Sequence, residues 1–244
     1  MKTKCIDIIG EVKDISPIIP QRSKIKNSLS IYQRNLNEKQ KKFLEISMDK
    51  NTKIVFVSGP AGTSKTYMAI YSALTLVNQR KVSDLIYIRS AVESSEAKLG
   101  FLPGEAEEKL APYLAPLTDK LSELLPKGDM DVLKKENRVS SVPVGFLRGL
   151  NWNAKVIIAD EAQNMTFKEL FTLITRMGEF SKMFILGDPD QTDLNGKSGF
   201  LKMISYFDDE ESRANGIQVF KFSDEDIVRS RLVQFIVKKV KKTL

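Results

Sequence analysis

The sequence predicts an α/β fold with a mostly parallel, doubly wound sheet and helices on both faces. The segments at residues 54–57, 84–89, 154–159 and 182–186 each contain a run of four consecutive apolar residues. Such runs are expected of strands that are buried on both faces of a sheet. Segments in which apolar residues recur with a helical period separate the runs. Strands that alternate with helices in this way are typical of a doubly wound parallel sheet.

The chain is predicted to consist of a flexible basic arm, residues 1–30, and one domain, residues 31–244. The arm mixes serine, proline, lysine and asparagine with isolated isoleucines, and we expect one short strand in it. Within the domain, prolines at positions 103, 112, 116 and 126 predict several short helices rather than one long helix. Asn37 is a predicted helix N-cap, and so is Thr166, with Glu169 three residues on completing a capping box. A basic helix is expected over residues 224–242.

The composition excludes several classes of function. The 244 residues contain no histidine and a single cysteine, Cys5, so there is no Ser-His-Asp triad, no histidine-bound metal and no internal disulfide. No run approaches the 18 apolar residues that indicate a membrane span. Acidic Asp7 and polar residues occupy the place where a signal peptide needs its apolar stretch. We therefore expect a cytoplasmic protein without membrane contact.

The net charge of +7 is concentrated at the two ends of the chain. Residues 1–42 hold ten Lys and Arg against four Asp and Glu, and residues 229–244 hold six against none. Basic ends on an acidic body indicate contact with a polyanion such as nucleic acid. The alternative, that the lysine-rich ends only keep the protein soluble, stays open.

A phosphate-binding loop is predicted at residues 59–66, Gly-Pro-Ala-Gly-Thr-Ser-Lys-Thr, between an apolar strand and a helix. The loop fits the pattern G-x-x-x-x-G-K-S/T except that Ser64 replaces the second glycine. Backbone N–H groups and the positive end of the helix dipole would hold phosphate oxygens. The predicted nucleotide-binding residues are Gly59, Pro60, Ala61, Gly62, Thr63, Ser64, Lys65 and Thr66.

Two residues of the loop have predicted roles of their own. Lys65 would reach the terminal phosphates, and the Thr66 hydroxyl would hold Mg2+. If position 64 requires a positive φ, serine there would cost about 1 kcal/mol.

Two further strands end in residues suited to phosphate chemistry. Asp160 ends one strand and is predicted to hold Mg2+ through water. Its neighbour Glu161 could polarise an attacking water, which favours nucleoside triphosphate hydrolysis over simple phosphoryl transfer. Gln191 follows another strand and could sense the γ-phosphate. Arg176, Arg229 and Arg231 are candidates for an arginine that contacts the γ-phosphate.

Taken together, these motifs resemble the PhoH-like protein family, over about residues 35–237. The motifs that carry the resemblance occur in the family's order: residues 59–66, Arg-Ser-Ala-Val-Glu (89–93), Lys-Leu-Gly-Phe-Leu-Pro-Gly (98–104), Asp-Glu-Ala-Gln-Asn (160–164), Gly-Asp-Pro-Asp-Gln-Thr-Asp-Leu (187–194), Lys-Ser-Gly (197–199) and Asp-Ile-Val-Arg (226–229).

The resemblance implies an ATPase with a single RecA-like P-loop domain related to superfamily 1 helicases and often linked to RNA. It implies that Gln40 reads adenine and that Lys65 and Thr66 hold phosphate and Mg2+. It further implies the following catalytic residues: Lys65, Asp160, Glu161, Gln191 as sensor and Arg229 as the γ-phosphate arginine. The chain departs from the family pattern at Ser64, at Ser90, where proline is usual, and at Ser230-Arg231, where His-Pro is usual.

These observations lead to one function hypothesis and two alternatives. The first is Mg2+-dependent ATP hydrolysis coupled to binding or helicase-type remodelling of single-stranded RNA or DNA, with Arg89 and the basic ends on backbone phosphates. The related helicases clamp ATP between two RecA-like domains, and this chain has one. We therefore expect a ring-like homo-oligomer, such as a hexamer, that supplies an arginine in trans. The alternatives are a nucleotide-binding switch or interaction protein with little catalysis, and a small-molecule kinase.

Overall fold

The computed structural model describes residues 3–6, 12–15, 25, 27–90, 106–194 and 196–228. Several predictions fall outside these ranges. They concern the motif at residues 98–104, the arginines Arg229 and Arg231, and the basic helix beyond residue 228. The first residues of that predicted helix form a 3₁₀ turn, Asp224–Asp226.

The described chain forms a two-stranded antiparallel sheet and a six-stranded sheet in which every neighbouring pair is parallel. The first contains β1 (Thr3–Ile6) and β2 (Val12–Ile15). The second has the order β5-β4-β6-β7-β3-β8. Its strands are β3 (Ile54–Ser58), β4 (Asp84–Arg89), β5 (Val139–Ser141), β6 (Lys155–Asp160), β7 (Lys182–Gly187) and β8 (Ile217–Lys221).

Seven helices accompany the strands in the described ranges. They are α1 (Glu38–Met48), α2 (Lys65–Asn78), α3 (Ala106–Leu124), α4 (Lys127–Lys135), α5 (Phe167–Ile174), α6 (Phe200–Phe207) and α7 (Glu210–Ala214). Short 3₁₀ turns also occur at Val144–Phe146 and Ala162–Asn164.

Two hydrophobic clusters cover the two faces of the large sheet. On one face, Val55, Tyr87 and Ile158 pack with buried residues of α1, α2, α3 and α4. On the other, Phe56 and Ile157 pack with buried residues of α5 and α6. Successive strand residues point to opposite faces, so strands buried on both sides must be apolar throughout. The predicted fold class, a parallel, doubly wound α/β sheet with helices on both faces, is confirmed.

Local side-chain chemistry fixes where two of the helices begin. The Thr166 hydroxyl accepts from the Glu169 N–H, and the Glu169 carboxylate accepts from the Thr166 N–H at 2.8 Å. This reciprocal pair satisfies N–H groups that the first helical turn leaves without partners. Asn37 and Gln40 form the same arrangement at the start of α1. Both predicted N-caps are confirmed.

Two predictions about local structure are wrong. Pro112 and Pro116 do not divide their segment into short helices, since the single helix α3 continues through both positions. Each proline removes one N–H donor, but buried Leu117, Leu121 and Leu124 bind the second half of the helix to the core. The N-terminal segment has two strands instead of one.

The end of the predicted arm also contacts the domain, because Ile25 and Leu29 are buried in the first cluster. The division of the chain at residue 30 stays a prediction. In the ranges that the structure describes, no helix has the length and apolar character needed to cross a bilayer.

Candidate active site

A cavity of about 480 Å³ lies where the carboxyl ends of β3, β6 and β7 meet. Ligands of open parallel sheets bind at this edge. Nine of the predicted site residues line the cavity: Gln40, Ala61, Gly62, Ser64, Lys65, Thr66, Asp160, Glu161 and Gln191. Gly59, Pro60 and Thr63 belong to the same loop without lining the cavity, and Arg229 lies beyond the described residues. The structure thus brings distant segments of the sequence to one place.

Hydrogen bonds fasten the loop between β3 and α2 on two sides. The Thr63 hydroxyl donates to the Pro60 carbonyl at 2.9 Å, which closes the loop on itself. The Ala61 N–H donates to Asp188 Oδ2 at 2.8 Å, which ties the loop to the end of β7. Gly62 has a φ of +88°, a conformation that glycine adopts without steric cost. The loop is therefore held open as a cradle at the N-terminus of α2, where anions bind.

Ser64 occupies a left-handed backbone conformation, with φ +66° and ψ +23°. Position 64 has a positive φ, so the steric cost expected for a serine in that conformation applies. For a residue with a Cβ this region costs about 1–2 kcal/mol. Ser64 makes no capping hydrogen bond with its side chain that would offset the cost. The departure from glycine places backbone strain inside the phosphate-binding loop.

Lys65 folds over its own loop. Its Nζ donates to the carbonyls of Gly59 at 2.6 Å and Pro60 at 2.9 Å. Burial lowers the pKa of the Lys65 ammonium, and the carboxylates of Asp188, Asp160 and Glu161 oppose that shift. The half-buried ammonium is bonded to two carbonyls and to no carboxylate among the contacts of the described residues, so a phosphate could replace the carbonyls as its partner.

Thr66 and Asp160 contact each other at the cavity wall. The Thr66 hydroxyl lies 3.1 Å from both carboxylate oxygens of Asp160. Tyr87 donates its phenolic proton to Asp160 Oδ2 at 2.7 Å. Burial raises the pKa of Asp160, and the hydrogen bond from Tyr87 opposes the rise. The Tyr87 contact was not predicted, because Tyr87 in the sequence is one residue of an apolar strand.

The Thr66–Asp160 pair fits Mg2+ that arrives together with a nucleotide. Mg2+ is usually held by one or two carboxylates, substrate phosphates and water. The described ranges contain no group of three or more His, Cys, Asp or Glu residues that could hold a metal by themselves. A hydroxyl beside a carboxylate at the mouth of a phosphate cradle supplies the oxygen ligands that this mode of binding requires.

Glu161 has an open, strained position beside Asp160. Its backbone is left-handed, with φ +55°. Its Oε2 accepts from Gln163 Nε2 at 2.7 Å, and its Oε1 lies 3.9 Å from Arg89 Nη2. About two fifths of the Glu161 side chain is exposed, at 41%. A carboxylate that is held by neighbours and also open to the cavity can contact a water molecule there.

Gln163 joins the two acidic strand ends, a role that sequence reasoning did not assign. It is buried, and its Nε2 also lies 3.3 Å from the Gln191 carbonyl. Its Oε1 accepts from the Asp188 N–H at 3.0 Å. The motif at residues 160–164 contained this residue, but the spacing carried no sign that its amide would reach the loop after β7.

The two glutamines of the prediction both line the cavity but differ in exposure. Gln40 is buried, and its Oε1 accepts from the Asn37 N–H at 3.0 Å, so its side chain also caps α1. Gln191 is exposed in the turn after β7, where its N–H donates to the Asp188 carbonyl at 3.1 Å. Arg34 lies near Gln40 on the cavity wall, with its guanidinium 5.2 Å from the centre of the Tyr67 ring.

A second cavity, of about 540 Å³, adjoins the first. The two share Thr66, Lys120, Glu123, Asp160 and Glu161, and Arg89 lines only the second. The acidic pair therefore borders both cavities. One cavity lies along the phosphate-binding loop, and the other is bordered by Arg89.

Arg176 is far from this arrangement. Its carbonyl accepts from the Trp152 N–H at 3.0 Å, just before β6 begins. The residue therefore lies at the amino edge of the sheet, and the cavity opens at the carboxyl edge. Arg176 cannot serve the site of its own chain.

The parallel sheet, the loop and the Thr66–Asp160 pair define a P-loop NTPase. Within this class, the model of the PhoH-like protein family matches residues 32–241, and the chain belongs to that family. The resemblance predicted from the motifs is confirmed.

Curated relatives are 33–38% identical to the chain over the aligned residues. A PhoH-like protein of Mycobacterium tuberculosis (strain H37Rv) is 38% identical over 200 residues, which cover 81% of this chain and 55% of the relative. A PhoH-like protein of Bacillus subtilis is 36% identical, covering 77% and 58%. Protein PhoH of Escherichia coli K12 is 33% identical, covering 95% and 60%. The chain thus spans somewhat more than half the length of these relatives.

Among solved structures, one similar chain comes from work on DNA unwinding at forked dsDNA by two coordinating Pif1 helicases. It is 14% identical with a TM-score of 0.35, and the match covers 78% of this chain and 44% of that one. A likeness this low has no bearing on the function.

Proposed function

We propose that the protein hydrolyses ATP with Mg2+ and couples hydrolysis to single-stranded nucleic acid, in particular RNA. The observation that carries the proposal is the 3.1 Å contact between the Thr66 hydroxyl and the Asp160 carboxylate, directly beside Glu161 and the phosphate-binding loop. A strand-end acid and a loop hydroxyl in contact are the arrangement that P-loop enzymes need for their metal.

The phosphates of ATP would bind to the loop N–H groups and to Lys65. The Lys65 ammonium would exchange the carbonyls of Gly59 and Pro60 for the terminal phosphates. Mg2+ would be held by Thr66 and, through water, by Asp160, and when bound it neutralises charge that develops on the phosphates. Gln40, which also lines the cavity, would supply an amide for the adenine edge.

Glu161 would orient the attacking water and accept its proton. Its carboxylate is open to the cavity and is fixed from behind by the Gln163 amide at 2.7 Å. Gln191 would sense the γ-phosphate, and Gln163 links it to Glu161 through the Gln191 carbonyl. Loss of the γ-phosphate at Gln191 would thereby reach the catalytic carboxylate.

Nucleic acid would act through Arg89. In the structure this guanidinium is 3.9 Å from Glu161 and lines the second cavity. A backbone phosphate that binds Arg89 would draw it away from Glu161 and leave the carboxylate free to contact water. The basic ends of the chain would add affinity that falls steeply with salt.

An arginine for the γ-phosphate would come from another copy of the chain in a ring-like homo-oligomer, such as a hexamer. Arg176 is at the opposite edge of the sheet from its own site. Arg229 and Arg231 remain candidates, in cis or in trans. Mass measurement in solution with and without nucleotide tests this; a monomer under both conditions contradicts it.

The test of the proposed function is the rate of ATP hydrolysis with and without single-stranded RNA or DNA. We expect Mg2+-dependent turnover by the wild type, stimulation by RNA, and loss of turnover in Glu161→Gln. Arg89→Gln should raise basal turnover, because Glu161 is then free of the guanidinium, and should lose the stimulation. ATP binding without measurable hydrolysis, even with RNA, would favour a nucleotide-binding switch.

A second candidate is a kinase, because the second cavity offers about 540 Å³ for an acceptor beside Glu161. A kinase needs an acceptor to consume ATP. Steady turnover of ATP in buffer alone, abolished by Glu161→Gln, would reject the kinase.

A further inference from the structure

The phenol of Tyr87 is the feature of this site that the proposed reaction does not yet use. Tyr87 lies on β4 and is fully buried, at 0% exposure. In the parallel register Tyr87 is opposite Ile158 of β6. Asp160 lies two residues further along β6 and therefore points to the same face of the sheet as Ile158. The ring extends diagonally across the pair of strands, and its hydroxyl reaches Asp160 Oδ2 at 2.7 Å.

The ring of Tyr87 serves the hydrophobic core, but its hydroxyl has a separate partner. The ring packs in the first cluster with Leu85 and Ile158, and phenylalanine would fill the same space. The hydroxyl adds one hydrogen bond to a carboxylate that is itself only 6% exposed. A buried carboxylate requires such donors, since unpaired burial of a charge is costly.

The donors on Asp160 divide between its two oxygens. Oδ1 accepts from the Glu161 N–H at 3.1 Å, and Oδ2 accepts from Tyr87. The Thr66 hydroxyl is 3.1 Å from both oxygens but has a single proton to donate. When the Thr66 oxygen turns to a metal, Tyr87 and the Glu161 N–H remain as the groups that fix the rotation of the carboxylate.

We propose that Tyr87 is a positioning residue that orients Asp160 for Mg2+ bound with ATP. The inference rests on the proposed function, since it assigns a supporting group to the same metal site. Removal of a group that hydrogen-bonds to a metal-binding side chain typically lowers the metal affinity by about 10–100-fold. The phenol would fix one carboxylate oxygen from within the core and leave the carboxylate edge that faces the cavity for the water of the metal.

The test is Tyr87→Phe, which removes the hydroxyl and retains the ring. The affinity for ATP is measured by calorimetry with excess Mg2+ and with EDTA, and Mn2+ binding to the complex with a non-hydrolysable ATP analogue is measured by electron paramagnetic resonance. We expect Mn2+ affinity to fall about 10–100-fold and the affinity for metal-free ATP to stay within about twofold. The matched control is Tyr71→Phe on α2, which removes a hydroxyl that does not line the cavity.

Three results would overturn the inference. Wild-type Mn2+ affinity in Tyr87→Phe would make Tyr87 a core residue alone, while the proposed function would stand if the wild type still binds ATP more tightly with Mg2+. An equal loss in Tyr71→Phe would remove the link to Asp160. A wild type whose ATP affinity is independent of Mg2+ would remove the proposed function and this inference together.

A second measurement applies if Tyr87→Phe does not fold. 3-Fluorotyrosine placed at position 87 alone retains the ring and the donor, and its fluorine resonance reports on the hydroxyl. We expect the resonance to shift when Mg2+ is added to the ATP complex and to stay unchanged when Mg2+ is added without nucleotide. An unchanged resonance in both cases contradicts the inference.

Discussion

The two edges of the parallel sheet both contain buried charged side chains, but those side chains have different partners. At the amino edge, Asp84 at the start of β4 accepts from Lys155 Nζ at 2.7 Å and lies 3.8 Å from Arg138 Nη1. The side chains of Asp84 and Arg138 are each 3% exposed. Lys182, at the start of β7, donates to the carbonyls of Ser47 and Asp49 at the end of α1.

The carboxyl edge keeps its charges next to a cavity. Lys65 is bonded only to carbonyls of its own loop among the contacts of the described residues, although three carboxylates are near. Ser64 and Glu161 are both left-handed there, and each such residue costs about 1–3 kcal/mol. Left-handed non-glycine residues also occur before the strands at the amino edge, at Arg80, Asn137, Ala154 and Phe180, so the two edges differ in how their charges are paired and not in backbone strain. Charge pairing at the amino edge stabilises the fold, whereas the charges at the carboxyl edge lie beside a cavity that could accept a ligand. The two edges should therefore respond differently to substitution.

The largest expected effect is the loss of activity in Lys65→Ala. We expect hydrolysis to fall at least about 10²–10³-fold, because a preorganised cation at the transferring phosphate is removed. The free energy of unfolding should change by about 1 kcal/mol or less, because the two lost hydrogen bonds are offset by relief from the partial burial of the Lys65 charge. Turnover assays and urea denaturation measure the two quantities. Lys127→Ala, at an exposed position on α4, is the control. A large loss of stability without loss of turnover contradicts the division between the edges.

The next effect is the destabilisation of the fold by Asp84→Asn. The substitution keeps the shape but removes the carboxylate that Arg138 and Lys155 share. Arg138 retains Glu136 at 3.0 Å, so a cost of about 1.5–3 kcal/mol is expected for the lost charged hydrogen bond to Lys155. The affinity of the folded protein for ATP should be unchanged. Urea denaturation and calorimetry check both statements. Asp208→Asn removes the partner of exposed Lys221, and about 1 kcal/mol or less is expected there. An equal loss of unfolding free energy in Asp84→Asn and Asp208→Asn would contradict a stabilising role for charge pairing at the amino edge.

Lys182 provides a pH test of the amino edge. Burial lowers the pKa of its ammonium to about 8, below the ordinary value of 10.5. Between these two pH values the unfolded chain binds a proton that the folded protein does not, so stability rises with pH. Below about pH 8 both states are protonated and the penalty for burying the charge is complete.

The variant Lys182→Met isolates this contribution. The difference in unfolding free energy between wild type and Lys182→Met should change in favour of the wild type by up to about 1.4 kcal/mol per pH unit over that window. Urea denaturation from pH 7 to pH 10.5 measures it, and Lys168→Met on the exposed face of α5 should show no such slope. A parallel course of the Lys182→Met and wild-type curves would contradict the assigned cause.

The sequence predicted the features that depend on local patterns. Continuous apolar runs located the strands, and the capping pair Thr166–Glu169 located a helix start, because each involves residues close together in the chain. The meeting of the loop with Asp160 followed from the rule that parallel strands end at one edge.

The features that were missed depend on register and packing. The bond between Tyr87 and Asp160 requires the register of β4 against β6, which apolar runs do not encode. The continuity of α3 through Pro112 and Pro116 requires the packing of its second half on the core. The hydrogen bond between the Gln163 side chain and the loop after β7 could not be predicted, because it depends on where the fold places that loop.

The smallest expected effect concerns the strain at Ser64. Ser64→Gly removes the steric cost of the left-handed backbone, which is about 1–2 kcal/mol. The greater conformational freedom of glycine in the unfolded chain lowers the stability of the folded protein by about 0.5–1 kcal/mol. We therefore expect the unliganded protein to gain up to about 1 kcal/mol in urea denaturation. Ser64→Ala is the matched control, because it keeps the strain and removes a hydroxyl that makes no capping bond. It should resemble the wild type. If alanine and glycine stabilise equally, the hydroxyl and not the backbone conformation is the source of the cost at position 64.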